Sequence, residues 1–404
     1  MSTRRARAHH ATGAAVCSRI GMTIDARIAA RLEALQAAGL ARHPPEVSAR
    51  HGVRYRLDDR DVIGLCSNDY LGLADTAAPG SVQCSGAGGS RLICGDLPIH
   101  RDVERRLAAL AQTDDAVLFP SGFQLNVGVL PALLEPGDVV ASDALNHASL
   151  IDGLRLARAD VTVMRHRDAP DALRVPEPPA ALWWVTESTF SMDGDRVDLD
   201  ALRRHHARGG ASYVDDAHAL GLFPGGVGLL TAHGITPTIL VGTLGKALGV
   251  AGAFVAASHT LCRFLRARAR SFVFSTGTSP AQAERIAHAL ELVTGPRGDE
   301  LRDRLWSNAH HLARRLGCDD APSPIFPVLI GDNDAAVAVA QALLQRGWHV
   351  QAIRPPTVPT GTARLRVTVT AAHERAQLDA FVDDLRTALD RLHLPLRIDR
   401  GVVP

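Results

Sequence analysis

Between residues 115 and 257 short apolar runs alternate with amphipathic ones, and this alternation restricts the fold more than any other feature. DAVLF, DVVAS, DVTVMRH, ALWWVTES, ASYVDD, TILVG and AGAFVAAS read as strands; QLNVGVLPALL, DALNHASLIDGLRLA and DLDALRRHHARGG read as helices between them. Strands joined through helices pair by crossover, so the expected fold is α/β, with a mainly parallel sheet covered by helices on both faces. Ligand chemistry on such a sheet sits at the carboxyl ends of the strands. After residue 290 the grain changes to DELRDRLWSNAHHLARRLG, SPIFPVLIG, DAAVAVAQALLQRGW, HVQAI, ARLRVTVT and a last helix near HERAQLDAFVDDLRTALDRL, a smaller α+β domain. The expected division is an N-terminal tail and helical segment (1–60), a large domain (61–290) and a small C-terminal domain (291–404).

At 404 residues and 46% hydrophobic, the chain can bury a substantial core. Its 44 basic and 43 acidic side chains nearly cancel, which gives no case for a nucleic-acid partner. No apolar run approaches the ~18 residues of a membrane span. Cysteines 17, 66, 84, 94, 262 and 318 include no C-x-x-C pair or zinc-type cluster, so they read as free thiols in a reducing compartment, with no metal. The Arg- and Ala-rich stretch up to Met22 lacks the apolar core of a secretory signal. It reads as a floppy cytosolic tail, with an organellar transit peptide as the compositional alternative.

Of the 44 basic side chains, 43 are arginine, and Lys246 is the single lysine. Arginine keeps its proton, whereas a lysine amine can be deprotonated and form a Schiff base. Lys246 stands in TILVGTLGKALG, on a Gly-punctuated turn after an apolar strand. A P-loop needs G-x-x-x-x-G-K followed by Ser or Thr; here Gly242 and Gly245 are too close and Ala247 follows the lysine. A dinucleotide-binding glycine pattern is also missing.

Other strand ends carry matching chemistry. Ser121, Gly122 and Phe123 lie where a helix begins, so their N–H groups can receive an anion. Asp215, Asp216 and His218 follow another strand, where a buried acid facing a cationic ring nitrogen escapes its desolvation penalty. Glu187 and Ser191 follow a third, and His147 opens a helix. An amine nucleophile, an anion cradle, an acid for a ring nitrogen and neighbouring histidines together match the needs of pyridoxal 5'-phosphate.

SNDYLGL (67–73), GAGGSRLICG (86–95), SGF (121–123), NHASL (146–150), ESTFSMDGD (187–195), DDAHALG (215–221) and GTLGKALG (242–249) resemble, in order, the motifs of the α-oxoamine synthase family of fold type I pyridoxal-phosphate enzymes. The resemblance covers roughly residues 40 to 375. It implies decarboxylative condensation of an amino acid with an acyl thioester, in a cytoplasmic homodimer with shared active sites. The run AIRPPTVPTGTARLRVTVTAAHE (352–374) is similar to the branch that joins L-alanine to a pimeloyl thioester, on coenzyme A or acyl carrier protein, in biotin biosynthesis.

By this resemblance Lys246 holds the cofactor covalently, Asp215 pairs with the pyridine nitrogen (Asp216 is the runner-up) and His147 stacks on the ring. Ser191 and His218 contact the cofactor's phenolic oxygen or the substrate. Gly122, Phe123 and Thr243 hold the phosphate, with Ser275 or Thr276 from a partner subunit. Arg366, in preference to Arg364, binds the amino-acid carboxylate with Asn68. Arg354, Thr357 and Arg42 lie near the substrates. Two departures stand out: segment 74–85 is shorter than the family pattern, and LFPGGVGLL lacks the arginine usual after DDAHALG. The rivals are another α-oxoamine synthase and a non-catalytic partner subunit; the presence of Lys246 argues against the second.

Overall fold

The structure, a computed structural model, describes residues 23–38, 40–41, 44–76, 84–174, 176–178 and 180–398. Arg42 and most of segment 74–85 therefore lie outside the described residues. Met1–Glu46 and Val47–Pro404 form separate compact units. In the first, α1 (Ile24–Ala37) is capped by Thr23, whose hydroxyl accepts from the Ala26 N–H at 3.1 Å.

The second unit opens with β1 (Val47–His51), β2 (Arg54–Leu57) and β3 (Arg60–Gly64), an antiparallel meander. The sequence shows no strand signal over the first two, because their side chains are mostly polar and face solvent; backbone pairing holds them. Next come α2 (Pro98–Ala111), β4 (Asp115–Phe119), α3 (Gly122–Leu133), β5 (Val139–Asp143), α4 (Ala148–Ala157), β6 (Asp160–Met164) and β7 (Leu182–Glu187). They are followed by α5 (Leu199–Ala207), β8 (Ala211–Asp215), α6 (Leu229–Ala232), β9 (Ile239–Thr243) and β10 (Ala253–Ala257).

The seven strands from β4 to β10 form one sheet in the order β4-β10-β9-β8-β7-β5-β6. It is parallel except for β10, which runs antiparallel to both β4 and β9 because only a tight turn separates it from β9. Alternate residues serve opposite cores: Val117, Phe119 and Val241 pack toward α3, α4 and α7 (His259–Arg268), whereas Ala116, Leu118 and Leu240 pack toward α2 and α9 (Pro280–Thr294), with the short α8 (Arg270–Val273) between α7 and α9. Both faces are covered, as the apolar runs require.

The chain ends with α10 (Pro296–Leu316), β11 (Ile325–Gly331), α11 (Asn333–Leu344), β12 (Trp348–His349), β13 (Gln351–Ile353), β14 (Ala363–Thr368) and α12 (Arg375–Arg391). The antiparallel sheet β11-β14-β13 packs its apolar face against these helices through Phe326, Leu365, Leu378 and Phe381. The expected single strand HVQAI is split at Val350: β12 pairs in parallel with β3, and β13 pairs with β14. The four-stranded sheet thus draws on 47–64 and 348–349, and the expected boundary at residue 60 falls at the start of β3. Among the described residues no helix is long and apolar enough to cross a membrane, and the cysteines are free thiols.

Candidate active site

The carboxyl ends of β4, β5, β7, β8 and β9 all open on one rim, because these strands run parallel. At the end of β4, Ser121 caps α3 by accepting from the Gln124 N–H at 3.3 Å. The first N–H groups of a helix lack intrahelical partners and carry positive potential; here they belong to Gly122 and Phe123. A Cβ on Gly122 would lie 3.9 Å from the Cβ of Thr243, which ends β9, so the absent side chain leaves that corner open. Gln124 Nε2 donates to Ser275 Oγ at 2.8 Å, bringing 275 to the same helix within this one chain, while Thr276 bridges to Ser90.

Glu187 and Asp215 end β7 and β8 and are paired directly in register, which sets two buried carboxylates side by side. Asp215 accepts from Asn126 Nδ2 at 3.0 Å and from the Ala217 N–H at 3.1 Å. Asn126 is itself held by the Tyr213 hydroxyl, which donates to Oδ1 at 2.7 Å. Glu187 accepts the His147 N–H at 2.7 Å; burial, and then the charge of Asp215, push its carboxyl well above the usual range.

Asp216, one residue on, points away from this group. It accepts from Ser188 Oγ and packs on Gly228, where a Cβ would collide with Oδ2. Its Oδ2 is buried without a hydrogen-bond partner, and burial raises its pKa to about 7. Asp215, not Asp216, faces the lysine.

Lys246 lies on the turn after β9. Burial lowers its pKa to about 8; Asp215 and Glu187 pull the other way and Arg366 adds repulsion. A lysine poised near neutrality beside two acids is competent both as a nucleophile and as a proton carrier. The turn needs its glycines: Gly249 has φ +68, and a Cβ there would collide with the backbone of Leu73 and Ala74.

His147 caps α4, its Nδ1 accepting from the Ser149 N–H at 3.2 Å, and burial lowers its pKa. His218 is fully buried, with Nδ1 2.7 Å from the Tyr70 hydroxyl; burial and then Lys246 hold its pKa well below the ordinary value. Both rings are therefore neutral at physiological pH.

Arg364 and Arg366 project from the same face of β14 but end differently. Arg364 donates to the Asp193 carboxylate and to the Thr362 carbonyl. Arg366 donates from Nε to the Ser191 carbonyl and from Nη1 to Asn68 Oδ1 at 3.0 Å, which leaves Nη2 buried without a partner. Ser191, the residue that Nε contacts, also lines a cavity of about 560 Å³ with His147, Ile151, Phe190, Met192 and Thr357 among others. The Arg354 carbonyl accepts from the N–H of Thr357, one of these lining residues, at 3.1 Å.

Sequence reasoning missed Asn126, Tyr70 and the pairing of Glu187 with His147. The first had a readable signal, a lone amide on the apolar face of QLNVGVL. Tyr70 had none, since a tyrosine in SNDYLGL is equally at home in a core.

Comparisons with known proteins give the family and the fold. Residues 60–385 match the family model for aminotransferase class I and II. The chain is 44% identical over 381 residues to the 8-amino-7-oxononanoate synthase of Anaeromyxobacter dehalogenans strain 2CP-1, covering 90% of this chain and 96% of that protein. A structure of serine palmitoyltransferase with a pyridoxal-phosphate internal aldimine superposes with TM-score 0.83 at 27% identity, over 91% of this chain and 98% of that one. The 8-amino-7-oxononanoate synthase of Francisella tularensis shares the fold, with TM-score 0.69 at 22% identity, over 82% of this chain and 99% of that one.

Proposed function

This chain belongs to the class I and II aminotransferase family, and on that premise we propose that it condenses L-alanine with a pimeloyl thioester, releasing carbon dioxide, the thiol carrier and 8-amino-7-oxononanoate for biotin synthesis. The observation that carries the reading is the unpartnered Nη2 of Arg366, buried within electrostatic reach of the Lys246 amine. An amine and a spare guanidinium corner so arranged suit an α-amino acid, whose carboxylate supplies the missing acceptor.

The residues present fit pyridoxal phosphate: open helix N–H groups beside Thr243 for the phosphate, a buried acid for the ring nitrogen, and one lysine at the turn. Bound there, the cofactor supplies an aldehyde for covalent attachment and a protonated ring that withdraws electrons from the amino acid's α-carbon. Lys246 holds the cofactor, then as a free amine takes the α-proton and returns one at the end. Asp215, kept an acceptor by Asn126 and Ala217, holds the proton on the ring nitrogen. His147 stacks on the ring, and Ser191 and His218 orient its oxygen substituent or the substrate. Gly122, Phe123 and Thr243 hold the phosphate, while Arg366 and Asn68 hold the carboxylate. Thr357 and Arg354 border the cavity that takes the acyl chain. On this reading 61–290 carries the cofactor and 291–404 the carboxylate-binding strand.

We further infer a cytoplasmic homodimer. Ile93 is 82% exposed, Phe274 72% and Phe123 49%, and the Ser90–Thr276 bridge brings the first two segments together next to the cradle. Apolar side chains so exposed beside a site call for a second copy to cover them, and Ser275 or Thr276 would then reach the partner's phosphate.

The test offers L-alanine, glycine and L-serine separately to the cofactor-loaded protein and follows the visible absorbance. It then assays product with pimeloyl-coenzyme A and with pimeloyl-acyl carrier protein. Response to L-alanine and formation of 8-amino-7-oxononanoate are expected. A response to glycine or serine alone would move the protein to another α-oxoamine synthase activity.

A further inference from the structure

His166 stands outside the residues assigned above, yet it is among the most constrained side chains in the molecule. Its Nδ1 lies 3.0 Å from Asp143 Oδ1 and its Nε2 2.8 Å from Asp195 Oδ2; the three side chains are 2%, 3% and 6% exposed. Ionised carboxylates only accept, so both ring nitrogens must donate and the ring is an imidazolium. The ring also meets Phe190 edge to face, with centroids 4.5 Å apart.

Its two carboxylates come from different walls of the cavity. Asp143 ends β5, three residues before Asn146 and four before His147, and also accepts from the Leu145 and Arg167 N–H groups. Asp195 closes the turn that carries Phe190, Ser191 and Met192; the Asp195 carbonyl accepts from the Phe190 N–H, and the Phe190 carbonyl from the Gly194 N–H. Arg366 takes its bearing from this turn, through Nε to the Ser191 carbonyl.

We propose that His166 is a positioning residue: held between Asp143 and Asp195, it pins the 188–196 turn to the end of β5 and thereby fixes the direction in which Arg366 presents its guanidinium to the amino-acid carboxylate. The ligand side of this proposal rests on the function proposed above. The other charged or titratable groups facing the group are Asp193, neutralised by Arg364, Arg167, whose Nε is 3.7 Å from Asp195, and Glu187 on β7, whose carboxyl acts on Asp143. Without the imidazolium, Asp195 is left with a buried Oδ2 beside an Oδ1 that already has no partner. Two carboxylates at the ends of one neutral ring would drive the walls apart. The two acids keep His166 protonated against the effect of burial, to about pH 9.

The experiment compares wild type with His166→Gln and Asp195→Asn, all loaded with pyridoxal phosphate. Amide hydrogen exchange at Phe190 and Gly194 reports the turn, and the affinity ratio of L-alanine to L-alaninamide, which lacks the carboxylate, reports the aim of Arg366. Both variants should lose protection at these amides, and the ratio should fall about tenfold, with kcat at saturating L-alanine within about threefold of wild type. An unchanged ratio despite lost protection would reduce His166 to a structural strap and overturn the proposal; unchanged protection would overturn it as well. A wild type that binds neither ligand would remove the functional reading instead, and the exchange data would then decide the clamp alone.

Discussion

Arg364 and Arg366 point the same way from β14, two residues apart, yet replacing each with glutamine should give opposite defects. Arg366→Gln removes the guanidinium together with Nη2, its one nitrogen buried without a protein partner. The substrate carboxylate then forfeits a charge-assisted hydrogen bond and a full positive charge, about 3 kcal/mol from the usual worth of such bonds. At about 1.4 kcal/mol per factor of ten, KM for L-alanine rises roughly a hundredfold. Stability changes little, because Ser191 and Asn68 can rebond to the shorter amide. In Arg364→Gln the partner left behind is Asp193, in a pair whose side chains are 8% and 6% exposed. Breaking a buried pair costs about 3–5 kcal/mol. Burial already raises the pKa of Asp193, so it can take up a proton, which sets the cost at the lower end. At roughly 2 °C per kcal/mol the melting midpoint drops about 6 °C, while KM for L-alanine moves only a few-fold. Steady-state kinetics and a thermal scan of the loaded enzymes separate the two. The reasoning fails if Arg366→Gln binds L-alanine within threefold of wild type, or if the two defects are exchanged.

The single lysine allows a clean chemical test. Borohydride treatment of the cofactor-loaded protein should fix one cofactor per chain, on the peptide containing Lys246, and Lys246→Arg should remove both this label and turnover; retained turnover would refute the covalent role. Because only the neutral amine attacks, cofactor uptake by the apoprotein should rise with pH and level off above about 8; an apparent pKa near the ordinary ~10.4 would contradict the burial argument. For His166 the folded pKa is raised, so its stabilisation is complete below about pH 6.5 and is lost as pH climbs through about 9; the melting difference between wild type and His166→Gln should close across that window. Asp215→Asn should cut kcat at least about a hundredfold. Asp216→Asn should leave kcat nearly intact and raise stability by an amount that grows from about pH 4, where the unfolded carboxyl ionises, and is complete above about pH 7. Equal loss of activity in both would undo the assignment of faces.

Much of this protein was legible in its residues. The alternation of strand and helix periods specified the seven-stranded core, since its central strands bury both faces. The lysine stood out by count, and Ser121, His147 and the acids declared themselves at strand ends. The polar meander of β1 and β2 was not legible, because exposed strands carry no apolar period, and neither was the break of HVQAI into two sheets, which depends on β3 some 285 residues earlier in the chain.

The finer choices needed the folded chain. Residue chemistry does not separate Asp215 from Asp216, and only the family resemblance favoured the first; in the fold, alternation sends Asp215 toward Asn126 and Lys246 and Asp216 toward Ser188 and Gly228. Arg364 and Arg366 differ only in what lies opposite, Asp193 in one case and unfilled hydrogen-bonding capacity in the other. His166 reads as an ordinary strand-end residue until Asp143 and Asp195 close on its two nitrogens. Period and composition are local properties, so the sequence alone determined the class of fold and singled out one lysine as the candidate nucleophile. Charge state, spare bonding capacity and direction depend on partners brought from 20 to 300 positions away, and for that reason only the tertiary structure decided them.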